Sequence, residues 1–591
     1  MTTENAAELP TWDLSHLYSA PDSAELKADL EKGKELAQKF ADTYQGKLGE
    51  IDGAGFGQAL ADFETLEDLL GRVVSYAQLL YAGDNTDADI AQFYQNMQEE
   101  ITNLSSLILF FTLEINNLED DALEALLIDP AAGKYRSWVM DVRVHRPYQL
   151  SEEMERLLVE KSVSGKRAWN RLFDETMAGL RFPFQGEELT NSEILDKLSS
   201  KDGDVRREAA KSFGKVLGDN IRLFSLITNT LAKDKATEDQ WRGLERPISA
   251  RNLSNLVEDE VVDALISSVK DSYGDLAHRY YGLKAKWFGV GQMNYWDRNA
   301  PLPEDVDRKI PWDEAQETVL KAYGAFDPEM AKIGQRFFDE RWVDAPPRAG
   351  KDSGAFAHPV TPSAHPYILL NYHGKVRDVM TLAHELGHGV HQVLASDQGA
   401  LMADTPLTLA ETASVFGEML TFRSMLDQEK DEKVRRIMLA GKVEDMLNTV
   451  VRQIAFCDFE RRVHDERKNG ELTSDRLGEI WMEVQTESLG PAFKYDDEYK
   501  HYWAYIPHFI HTPFYVYAYA FGDCLVNSLY DVFQSGHEGF QAKYLDMLAA
   551  GGTKRHKELL APFGLDASDP DFWKRGLNVI SGFIDELEDV L

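Results

Sequence analysis

Within Thr381–Gln392, TLAHELGHGVHQ, His384 and His388 stand four residues apart with Glu385 beside the first. On a helix that spacing puts both imidazoles on one face, about 6 Å apart along the axis, where they can converge on one metal ion. Glu385 lies about 100° round the helix from His384. It is therefore outside the ligand set but beside a water that the metal would hold, where a general base belongs. The chemistry implied is metal-assisted hydrolysis. The rival reading is a helix with two ordinary histidines. With 15 histidines in 591 residues, a chance match is roughly a few per cent, so context has to decide.

Such a site needs a third protein ligand and an open fourth position. Asp404-Thr405-Pro406 reads as a helix start, and the segment that follows, LTLAETASVFGEMLTF, carries Glu411 and Glu418. The two acids share a helical face among Leu409, Ala410, Ala413 and Phe416, and spacing alone leaves either as the ligand. His391 lies on nearly the same face of the first helix. It sits about 10 Å along the axis from His384, too far to share its metal, and is read as structural or substrate-side. A third histidine after a glycine, as in metzincins, is absent.

The elements that must position these groups are legible around them. After Gly374, a helix over Val376–Ala395 buries Val379, Met380, Ala383, Leu386, Gly387 and Val390. Residues 353–358 and 366–372 read as short strands parted by a Thr-Pro-Ser turn. They either offer an edge to an extended peptide or brace the helix. Upstream, residues 24–179 have apolar positions at helical spacing, including Leu60, Phe63, Leu66, Leu70 and Val73. Residues 179–189 read as a hairpin turning at Gln185-Gly186. Helices resume over 205–235 and 259–288, with a loop over 287–311 that ends in Pro301-Leu302-Pro303. The Lys201–Asp204 break divides the chain into an N-terminal helical lobe, 1–200, and a catalytic domain, 201–591.

Composition narrows the partners. The chain has 63 Lys and Arg against 100 Asp and Glu, a net charge of −37, which argues against nucleic acid or an anionic membrane. Two cysteines, a polar N-terminus and no apolar run near ~20 residues point to a cytoplasmic protein without disulfides, secretory signal or membrane span.

HELGHGVHQ followed by LAETASVFGE resembles the oligoendopeptidase F branch of the thimet-oligopeptidase family of zinc peptidases. WDLSHLY, SGAF, HPYILLNYHGK and IPHFIHTPFYVYAYAFG extend the resemblance over residues 12 to 580. It implies a mainly α, two-lobed, zincin-type fold with a deep central cleft and a small β-sheet beside the metal-site helix. It implies one zinc ion held by His384, His388 and Glu411, with Glu385 as the catalytic carboxylate activating zinc-bound water and Glu418 in a supporting place. Oligopeptides are the implied substrates.

An aromatic segment like His501–Tyr519 is, taken alone, a core feature. The resemblance implies instead that a histidine and tyrosine hydroxyls from it donate to the substrate oxyanion. Tyr515 and Tyr519 share a face by helical spacing, whereas matching FYVY to the family favours Tyr515 and Tyr517; the assignment is His508, Tyr515 and Tyr517. Two rivals to a zinc endopeptidase are a zinc exopeptidase of carboxypeptidase type and a non-catalytic helical peptide-binding scaffold.

Overall fold

The computed structural model describes residues 9–302 and 309–590. The polar N-terminal octapeptide and the Pro303 end of the expected loop lie outside the described residues. The chain is 71% helix and 3% strand, which makes it mainly α. It forms two compact units, each assembled from three segments. The first unit comprises Met1–Arg146, Asp307–Gln428 and Val532–Leu565; the second comprises Pro147–Val306, Glu429–Asp531 and Asp566–Leu591. The division expected at 200/201 falls inside the second unit.

The first unit has a helical core and a metal-side layer. Helix α1 (Gly53–Gly83) is capped by Asp52, whose side chain accepts from the Gly55 N–H. Its Phe56, Leu60, Phe63 and Leu70 are buried with Phe40 and Phe111 in one cluster. Helix α2 (Trp312–Phe326) leads into a three-stranded sheet of β1 (Val343–Asp344), β2 (Phe356–His358) and β3 (Tyr367–Leu369). The central strand β3 runs parallel to β1 and antiparallel to β2. Buried Lys351 and the Arg348 guanidinium both pair with Asp344 at 2.7 Å, so the charge at the end of β1 is compensated locally.

Helix α3 (Val376–Ala395) starts where the sequence places it. Gly374 supplies the turn with a φ of +82°. Asp378 reaches back to accept from the backbone N–H groups of His373 and Lys375 at 2.8 and 2.9 Å. Those bonds satisfy donors at the helix entrance that would otherwise lack partners. Helix α4 (Leu407–Gln428) packs along α3. Gly387 allows this close approach: a Cβ there would stand 2.5 Å from the Ala413 carbonyl oxygen and 2.7 Å from the Ser414 Cα. Helix α5 (Phe540–Ala549) fixes α4 from another side, the Tyr544 hydroxyl donating to the Thr412 carbonyl at 2.8 Å.

The second unit is built mainly from helices, among them Gly203–Asp219, Ile221–Arg242, Val451–Arg467 and Ser474–Leu489. The hairpin read at 179–189 is present, Phe182–Phe184 pairing antiparallel with Glu187–Leu189. Gln185 and Gly186 both have positive φ, 49° and 88°, the geometry of a tight two-residue hairpin turn. No described helix is long and apolar enough to cross a membrane.

Candidate active site

Helices α3 and α4 bring His384, His388 and Glu411 together, their nearest ligand atoms all within 4.8 Å of one another. Oε2 of Glu411 stands 3.3 Å from Nε2 of His384 and 3.6 Å from Nε2 of His388. A tetrahedral zinc with bonds of about 2.0–2.1 Å separates its ligand atoms by about 3.3–3.4 Å. The two imidazole rings are 5.0 Å apart and inclined at 79°. Two neutral nitrogens and one carboxylate form a donor set suited to zinc.

Each donor is held by a further contact. Glu418, the other acid left open by spacing, lies on the opposite side of the His384 ring, 3.3 Å from Nδ1. It can therefore accept the Nδ1 proton while Nε2 faces the metal position, an arrangement that fixes ring and tautomer. Ser414 donates to Oε2 of Glu411 at 2.7 Å. The Ala410 backbone lies beside both His388 and His391 and favours their protonated forms. His391 is buried, 3.4 Å from the Thr405 hydroxyl, and among the described residues it takes no part in the three-residue cluster.

Tyr323 contributes a contact that the sequence did not advertise. Its hydroxyl donates to the Ala383 carbonyl, one residue before the first ligand, while the ring packs where a Cβ on Gly417 would otherwise sit. It thus sets the height of α3 against α4. Only the pairing of a tyrosine on α2 with a glycine on α4 could have signalled this, and nothing in the local pattern connects them.

The site's electrostatics follow from burial and charge. Burial works against the Glu411 carboxylate, but hydrogen bonds and charges from His384, His388 and Ser414 outweigh it and hold its pKa at about 2. Burial lowers His388 to about 4, keeping that imidazole neutral at pH 7. Burial also disfavours protonated His384, yet Glu411 and Glu418 on its two nitrogens carry its pKa well above the ordinary value. Glu385 is 7% exposed, and burial pushes its carboxyl up to about 7. His384 and the Ala357 backbone act in the opposite direction, as would a dication at the three donors.

The sheet meets the helix at β2. The Ala357 backbone lies on the Glu385 side of α3 and favours the charged carboxylate, and the Ala357 carbonyl accepts from Gln392 at 3.3 Å. The outward peptide group of this edge strand is thus engaged by α3, so at Ala357 the sheet braces the helix. A cavity of about 470 Å³ borders His388 and is also lined by His391, Gln392, Trp342, His365 and Asp404.

In the second unit, the aromatic segment divides its tyrosines differently from the expectation. Tyr517 is fully buried and its hydroxyl accepts from Asn255 at 2.9 Å, so it is a core residue with no surface to offer a substrate. Tyr519, in contrast, stands beside His508. Its hydroxyl is 3.3 Å from Nε2 of His508, and the rings of Tyr515 and Tyr519 each lie 5.9 Å from that imidazole. The helix Tyr517–Gln534 separates Tyr517 from Tyr519, since residues two apart on it point to different sides, and the turn before the helix brings Tyr515 to within 5.3 Å of Tyr519, ring to ring. Arg251 sits over the Tyr515 ring at 5.8 Å.

Comparison with known proteins identifies relatives along nearly the whole chain. The model of peptidase family M3 matches residues 197–579, beginning close to the expected 200/201 division, and that of Oligopeptidase F matches residues 114–182. The chain is 27% identical to Oligopeptidase PepF of Bacillus subtilis, covering 98% of this chain and 87% of that one. It is 26% identical to the chromosomal Oligoendopeptidase F of Lactococcus lactis subsp. cremoris, covering 99% and 98%. Among solved structures, that of a Chlamydophila abortus protein described as a peptidase superposes with a TM-score of 0.86 at 22% identity, covering 98% of both chains. Oligoendopeptidase-F from Enterococcus faecium superposes with a TM-score of 0.72 at 23% identity, covering 97% and 99%. Since the first family model alone spans more than half of the sequence, this chain belongs to peptidase family M3.

Proposed function

We propose that the protein is a zinc-dependent endopeptidase of short oligopeptides, with His384, His388 and Glu411 holding one zinc ion and Glu385 serving as general base. The observation that carries this reading is the near-tetrahedral spacing of the three donor atoms, with Glu385 adjacent in sequence and buried beside them. Zinc, when bound, supplies Lewis acidity that polarises the scissile carbonyl and acidifies the attacking water. Glu385, buried beside the three donors, takes the proton of that water and delivers it to the leaving amine. Glu418 keeps His384 in the ligating tautomer. The cavity beside His388 accepts a substrate side chain. The two buried free thiols, Cys457 and Cys524, suit a reducing cytoplasm.

The test is product mapping on a decapeptide acetylated at one end and amidated at the other. An endopeptidase cuts it internally, giving two fragments by mass spectrometry. Stepwise loss from one terminus of the unblocked peptide, with the blocked peptide intact, would assign the exopeptidase alternative. No cleavage of either would leave the binding-scaffold reading.

Oxyanion stabilisation falls to His508 and Tyr519, with Tyr515 beside them, a role that rests on family resemblance and on their mutual contacts. Tyr519→Phe should lower kcat by about 10–10³-fold with KM little changed, as removal of one donor to developing charge does. Tyr517→Phe should leave kcat within a few-fold and cost about 1 kcal/mol of stability by removing the buried acceptor of the Asn255 side-chain amide. Steady-state kinetics and denaturant unfolding on both variants decide it, and the reverse pattern would return the role to Tyr517.

A further inference from the structure

The second unit contains a cavity of about 230 Å³ that the proposed peptidase chemistry does not use. Two arginines from distant parts of the chain, Arg298 and Arg452, line it together with Phe456, Trp481, Tyr499 and Tyr505. Both are half-buried. Arginine stays protonated in proteins, so the cavity holds two permanent positive charges. Each guanidinium carries five N–H donors. Arg452 donates to the Tyr505 hydroxyl at 3.2 Å and lies over the Phe456 ring at 5.0 Å, and its buried Nε–H meets no acceptor. Among the described residues, the Arg298 guanidinium makes only a long contact, 3.4 Å, to the Asn299 side chain.

Among the described residues, neither arginine forms an ion pair with a carboxylate. The acids of this neighbourhood are committed to other cations. Asp297, the residue before Arg298, pairs with Arg206 at 2.7 Å. Glu444 pairs with buried Lys284. Glu498 pairs with Lys211 at 2.5 Å and accepts from Tyr295 at 2.8 Å. Burial, and then the like charge of Arg298, hold the Arg452 guanidinium below its ordinary pKa. Partly desolvated cations facing one another with unused donors are costly unless a counter-charge completes them.

We propose that this cavity is a binding site for a small oxyanion, a carboxylate or phosphate group, gripped by Arg298 and Arg452. The planar guanidinium fork matches both groups bidentately, and the Tyr505 hydroxyl adds a further donor on the same wall. The aromatic lining limits the guest to a compact anion or to the charged end of a longer molecule. Its source is either a free small anion or the terminal carboxylate of a peptide. Anion binding here does not depend on the peptidase assignment.

The test is calorimetric titration and thermal unfolding of the full-length protein at constant ionic strength. The probes are inorganic phosphate, acetate and a tripeptide in free-acid and amidated forms. The wild type should bind at least one oxyanion probe saturably with a rise in Tm. Arg298→Gln and Arg452→Gln should each weaken that binding at least tenfold. Their Tm without anion should be equal to or above that of the wild type, because one of two facing charges is gone. Tighter binding of the free-acid tripeptide than of acetate, with no binding of the amide, identifies a peptide terminus as the source; tighter binding of phosphate identifies a free anion. Glu411→Ala, which lacks a ligand of the metal site, should bind the anion as the wild type does. No saturable binding by the wild type, undiminished binding by both arginine variants, or loss of binding in Glu411→Ala would each overturn the proposal.

Discussion

Glu385→Gln should keep one equivalent of zinc and lose kcat/KM by about 10³-fold or more. The amide has nearly the same shape and no carboxylate of the three-donor set is touched, so the helix and the three donors stay in place. What disappears is the group able to take a proton from water and return it to the amine, a contribution of typically 10²–10⁴-fold. The zinc content is the control, because a structural effect of the substitution would lower metal and rate together. An active Glu385→Gln enzyme would remove the general base from the mechanism.

The second large effect separates the two acids of α4. Glu411→Ala should abolish stoichiometric zinc at micromolar protein, since it removes the one carboxylate facing both imidazoles. Glu418→Gln should retain zinc but bind it about 10–100-fold more weakly, as loss of a hydrogen-bonded partner behind a metal-binding histidine does. Competition against a chromophoric chelator measures both. Zinc retained by Glu411→Ala and lost by Glu418→Gln would exchange their roles.

Much of this site could be read from residue order because its parts are local. The His384–His388 pair needs only a helix, and the apolar stripe from Val379 to Val390 gives that helix its span and buried face. Glu411 and Glu418 were both visible as acids on one face of an apolar helix. Choosing between them required the pairing of α3 with α4, which depends on Gly387 and Tyr323, and no periodicity records such a contact.

The losses have the same origin. Strand β1 is two residues long, Val343–Asp344, and its parallel partner β3 is remote in sequence, so no alternation announces it. Tyr517 and Tyr519 look equivalent in YVYAYA. Only the helix phase, with Asn255 waiting for the Tyr517 hydroxyl, separates the core residue from the one beside His508. The division placed near residue 200 followed the turn before the helix Gly203–Asp219. Compactness instead groups segments from both ends of the chain, which a linear reading does not foresee. Arg298 and Arg452 are remote in sequence, and only the fold places them in one cavity.

The account's central claim is that one zinc ion on His384, His388 and Glu411 is required for peptide hydrolysis. The direct measurement is to strip the purified enzyme with a chelator and titrate zinc back, following metal content and peptide cleavage in the same samples. The account predicts no cleavage without metal and a linear return of activity that saturates at one equivalent, with Glu411→Ala remaining inactive throughout. Full cleavage by the metal-free protein, or restoration of Glu411→Ala at one equivalent, would contradict it.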